Sequence, residues 1–147
     1  MSKFEYLSEL EVTKATTKTY KVYQITVAGK TPELTVAPAT QANTQFFNAL
    51  IKRTKGVARA IQSGNITASV LEQNRDELRG LFTDYVVKAW EHVYDSEGQA
   101  VPFNKENCDE FLQALPDWIF DEITNFVSDS QNFTDDVHVD VEEAGNG

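Results

Sequence analysis

Two histidines and one cysteine are the scarce reactive side chains of this 147-residue sequence: His92, His138 and Cys108. Imidazole is the usual general base or metal ligand near neutral pH, and a thiolate is the usual nucleophile. None of the three sits in a pattern that such chemistry needs. His92 follows Glu91 on what reads as a helix, and no second ligand stands four residues on, so the local sequence offers no donor pair for a metal. No signature links Cys108 to His92 as nucleophile and base, and a free cysteine commonly behaves as a small buried hydrophobe. The seven glycines are scattered and form no phosphate-cradling loop. Placing Gly98 at the turn position of a calcium loop puts Val93 at the first ligand position and Asn104 at the last, where a bidentate Glu belongs; residues 95–98 therefore read as a tight turn. Asp117, Asp121 and Glu122 suit the positive end of a helix. The expectation is a non-enzymatic protein, with no catalytic, cofactor-binding or metal-ligating residues.

Charge is the stronger signal. The net charge is −10, yet residues 1–64 carry +5 and residues 65–147 carry −15. Such a split favours self-association or a basic partner for the acidic half. Lys52, Arg53, Lys55 and Arg59 form the one dense basic run. No aromatic is interleaved with them and the whole chain is acidic, so nucleic acid is not the expected partner. A salt-bridging face against the acidic half or a second subunit is. These four, with Tyr23 and Ile25 on the first strand, are the candidate partner-binding residues.

The elements that must position them follow from periodicity. Residues 16–27 alternate and are rich in β-branched and aromatic types, which predicts a strand. Ala28 to Pro32 supplies turn chemistry, and Glu33 to Val36 a second strand. This β-hairpin is too small to stand alone. Phe46, Phe47, Leu50, Ile51, Val57, Ala58 and Ile61 recur at helical spacing, with Thr40 or Asn43 as cap and Gly64 as stop. Thr67 caps a long helix predicted over 67–94. Gly80 inside it implies either a close neighbouring backbone or a bend. Asn104 caps a third helix, and Pro116 opens a fourth. Residues 134–147 hold five acids and no base, and read as a flexible tail. The predicted fold is α+β and mostly α: an N-terminal β-hairpin packed on about four helices, residues 1–133 as one domain, and an acidic flexible C-terminal tail over 134–147. The core expected from the pattern is Phe46, Leu50, Ile61, Leu78, Phe82, Val86, Trp90, Phe103, Phe111, Leu115, Trp118 and Ile123.

No apolar run is long enough for a membrane span, the first residues are too acidic for a signal peptide, and a single cysteine excludes an intrachain disulfide. A cytoplasmic setting is expected.

One stretch carries a family likeness. From Val86 the chain reads VVKAWEHVYDSEGQAVPFNKENCDEFLQALPDWIFDEI. Trp90-Glu91, the acidic turn Asp95 to Gly98, Val101-Pro102-Phe103, the cap Asn104, Glu106-Asn107, and Phe111, Leu112 and Leu115 resemble the C-terminal half of tail assembly chaperones of long-tailed bacteriophages. The resemblance implies a non-enzymatic chaperone in the host cytoplasm. It would bind the tape measure protein, help recruit tail tube protein, and self-associate. The alternative within the same setting is a virion structural or accessory protein, such as a tail or head–tail completion component. A small acidic host-takeover protein is a third class.

Overall fold

A computed structural model describes residues 3–135 and 137–139. Most of the acidic stretch assigned to the tail, residue 136 and residues 140–147, lies outside the described residues. The fold is α+β and mostly helical. Strands β1 (Lys18–Lys21) and β2 (Glu33–Val36) are followed by helices α1 (Thr44–Arg53), α2 (Val57–Ser63) and α3 (Ala68–Tyr85), then strand β3 (Val87–Glu91) and helices α4 (Lys105–Ala114) and α5 (Asp117–Val127). The sheet is antiparallel in the order β1-β2-β3.

The hairpin forms as its turn chemistry requires. Ala28 and Gly29 both take positive φ, 53° and 75°, and Val27 bridges Lys30. The first strand is shorter than the alternation predicted: it ends at Lys21, and after Val22 donates to the Pro32 carbonyl, Ile25 N closes a turn onto Val22 O at 3.1 Å that carries the chain away. Val22, Leu34 and Val36 are fully buried beneath the sheet.

Two predictions about the helices need correction. The single helix expected to end at Gly64 is two helices. Gly56 at φ 78° breaks it, and the buried Asn74 of α3 holds the Lys55 backbone by accepting from its N–H and donating to its carbonyl, both at 3.1 Å. Gly64 is the cap of the second piece, at φ 70°.

The long helix capped by Thr67 does not run to residue 94. It ends at Tyr85, and residues 87–91 form β3, which pairs with β2 with Leu34 opposite Trp90. Two carbonyls at the helix end are claimed from outside: Tyr85 O accepts from Asn43 Nδ2 at 3.0 Å, and Val86 O accepts from Ala37 N at 2.8 Å. Val86 still has right-handed dihedrals and donates to Phe82 O, and from the β-branched Val87 onward those outside bonds favour extended backbone. The stripe of apolar residues fits both periods over this short reach, which is why helix spacing misread it.

Gly80 stays inside α3, and a Cβ built there would meet no atom within 4 Å, so no neighbouring backbone explains it.

The core runs through Phe46, Phe82 and Phe120, with ring centroids 5.9 and 5.3 Å apart, and is closed by Leu50, Leu78, Leu112, Ile123 and Val127. Most of the expected core residues are buried or half-buried. Trp118 is the exception, 57% exposed. The buried side of α5 is Ile119, Phe120, Ile123, Thr124 and Val127, which turns Trp118 outward. Trp90 is half-buried; its ring meets Phe103 at 5.2 Å and Phe111 at 5.5 Å, and its Nε1 donates to Val101 O.

Candidate functional site

Three constellations bring chemistry-bearing side chains together. The first joins α3 to the end of α4 and the start of α5. Arg79 is 5% exposed. Its Nε donates to Leu112 O at 2.9 Å, and its Nη2 to Leu115 O at 3.0 Å and Asp117 Oδ1 at 3.1 Å. Its guanidinium lies 4.7 Å from the centre of the Phe120 ring. One turn earlier, Arg75 forks onto Asp121 through two bonds of 2.9 and 2.6 Å, and that bond first, with the nearby carboxylates, raises its already high pKa. These two arginines serve carbonyls and carboxylates of the fold itself, so the cluster reads as a structural clamp.

The second is a surface. Lys52 and Arg53 occupy the last turn of α1, where cations suit the helix dipole; Lys55 follows in the break and Arg59 sits on α2. All four are exposed beside Ile51, which is 57% exposed. The salt-bridging face expected against the chain's own acidic half is not formed: among the described residues, the ion pairs use Lys18, Arg75, Arg79, His92 and Lys105 instead. Tyr23 and Ile25 do not lie on a strand, because β1 ends before them. Tyr23 is 76% exposed in the turn, while Ile25 packs partly against the core.

The N-terminal segment adds an apolar surface. A 3-10 turn over Glu5–Leu10 buries none of its residues. Phe4, Tyr6, Leu7 and Leu10 are all exposed.

Helical periodicity hides the third constellation, because it puts His92 on a helix. It instead follows β3 with φ 61°, a left-handed conformation that histidine tolerates better than most residues. Its Nε2 lies 3.5 Å from Glu33 Oε2 on β2, and Glu33 is the direct cross-strand partner of Glu91. No alternation marks this group in the sequence: the burial of residues 87–91 does not alternate, because the register against β2 shifts between Thr35 and Val36, so Glu91 faces outward although Val87, four residues earlier, is buried.

Cys108 is fully buried, and that burial pushes its thiol up to about 11, partly offset by a hydrogen bond with Thr83; it is a core side chain and a poor nucleophile. Burial first, then Glu122, raises Tyr20, whose ring packs on Phe126 at 5.0 Å. An open groove of about 560 Å³ runs between the ends of α2 and α5, lined by Ile61, Gln62, Gly64, Asn125, Ser128 and Asp129. Among the described residues, Asp129 is its only ionisable lining residue, so they bring no acid–base pair together there. No helix among the described residues is long and apolar enough to cross a membrane.

A family model described as YdaY prophage protein matches residues 41–144, which covers α1 to α5 and β3 but neither the hairpin nor the apolar N-terminal segment. That description points to a prophage origin and assigns no role in tail assembly. No curated protein matches the chain, and no solved structure does.

Proposed function

This chain belongs to the YdaY prophage protein family, and from that premise we propose that it is a non-enzymatic tail assembly chaperone. It binds the tape measure protein in the host cytoplasm, keeps that long helical client soluble, helps bring in tail tube protein, and self-associates while doing so. The observation that carries this reading is the exposed apolar segment of Phe4, Tyr6, Leu7 and Leu10, on a chain whose interior is otherwise well filled. A run of large apolar side chains in water favours a polypeptide partner with an apolar face. Glu5, Glu9 and Glu11 keep the same segment soluble, and the exposed Lys52, Arg53, Lys55 and Arg59 offer a second, charged contact surface.

The test is co-expression with the tape measure protein encoded by the same prophage, followed by pull-down and measurement of the soluble client fraction. The chain should hold the client in solution. A variant with Phe4, Tyr6, Leu7 and Leu10 all changed to serine should fold normally, because none of these side chains is buried, and should fail to hold it. A client that is equally insoluble with and without the chain refutes the chaperone reading. Recovery of the chain in stoichiometric amounts from purified particles replaces it with the virion structural or accessory one.

A further inference from the structure

On the outer face of the sheet, one oxygen of Glu33, one oxygen of Glu91 and one ring nitrogen of His92 lie within 4.8 Å of one another. Glu33 and Glu91 stand directly opposite each other across β2 and β3. Opposed like charges repel and destabilise a strand pair. Lys21, the third residue of the same cross-strand row, forms no ion pair with either glutamate, and neither does any other lysine or arginine among the described residues. Among the described residues, the only basic group within ion-pair distance of Glu33 is the imidazole of His92, whose charge depends on a proton. The fold therefore gathers two carboxylates around one imidazole and supplies no permanent positive charge between them.

We propose that Glu33, Glu91 and His92 form a binding site for a divalent first-row transition-metal cation, with Zn²⁺ as its representative. Two carboxylate oxygens and one imidazole nitrogen suit such an ion, whereas calcium and magnesium favour all-oxygen shells. Three protein donors leave the remaining coordination positions to water or to a partner's side chain. The bound cation neutralises the opposed glutamates and ties the central strand to the edge strand that leads into α4. This proposal is independent of the chaperone reading.

The experiment is a calorimetric titration of the full, chelator-stripped chain with Zn²⁺, paired with thermal unfolding in the presence and absence of the metal. The wild type should bind Zn²⁺ saturably and unfold at a higher temperature with it. Glu91→Gln and His92→Asn should each weaken binding by at least about tenfold, the lower end of what even a supporting group costs a metal site. Glu91→Gln should be at least as stable as the wild type without metal, because it removes a repulsive charge, so its lost response to Zn²⁺ cannot be unfolding. His138→Asn should bind as the wild type does. Absence of saturable binding overturns the site, as does binding that survives both Glu91→Gln and His92→Asn or disappears in His138→Asn.

Discussion

Replacing Arg79 with alanine should be among the most damaging single changes to this fold, and the reason is the end of α4. Arg79 Nε and Nη2 are the donors to Leu112 O and Leu115 O, where the helix has run out of its own amides. Losing them strands two buried carbonyls, at about 1–3 kcal/mol each. The guanidinium stacked on Phe120 adds about 0.5–2 kcal/mol. Water entering the vacated space recovers part of this, which leaves a net loss of about 3–5 kcal/mol, the range seen when one partner of a buried charged group is removed. Asp117 contributes little by comparison. Its side chain is 63% exposed, and a pair so open to solvent is worth about 0–1 kcal/mol. Urea unfolding followed by tryptophan fluorescence measures the difference. Arg79→Ala should lower stability by about 3–5 kcal/mol, Asp117→Asn by less than about 1 kcal/mol, and Arg79→Lys should fall between, since one ammonium cannot reproduce the separated, in-plane N–H donors of the guanidinium fork. An Arg79→Ala loss below about 1 kcal/mol, or an Asp117→Asn loss equal to it, would refute the helix-end argument.

Trp90→Ala should cost about 3 kcal/mol by denaturant unfolding, because the ring packs against Phe103 and Phe111, while Trp118→Ala should stay within about 0.5 kcal/mol. Gly80→Ala should raise stability by about 0.5–1 kcal/mol, since the helix gains a better former and the added methyl meets no atom. The Cys108 thiol should resist thiol-reactive reagents in the native chain and react only after denaturant is added. Its raised native pKa means the unfolded chain loses this proton first, so the stabilising contribution is complete below pH 9.0 and is lost as pH climbs toward about 11. Alkaline unfolding of Cys108→Ala should show a correspondingly shallower fall over that window.

The parts of the fold that sequence made legible are those governed by local rules. Asn43, Thr67 and Asn104 each accept from an amide three residues on, as capping residues do, and Gly64 takes the left-handed conformation that ends α2. What stayed hidden depends on groups far apart in the chain. Asn74 breaks the basic helix from across the molecule, and Asn43 takes the carbonyl at the end of α3. No window of sequence contains both partners of either bond. The buried Arg79 was equally silent, because a lone arginine on an amphipathic helix looks the same whether it reaches water or the end of another helix.

The misread strand carries the largest functional consequence. With residues 87–91 helical, His92 has neighbours only on its own helix face, and Glu33 belongs to a distant hairpin. With the same residues extended, the sheet has three strands, β2 becomes central, and Glu33 faces Glu91 beside the imidazole. The same change places β3 along one side of β2, so the edges of the sheet are the short, lysine-flanked β1 and the five-residue β3, which carries Lys88. Lysines on a short edge discourage strand-to-strand association. Contact with a partner therefore falls to the surfaces that lie outside the sheet, the apolar N-terminal segment and the basic corner between α1 and α2, and it is there that substitutions should separate binding from folding.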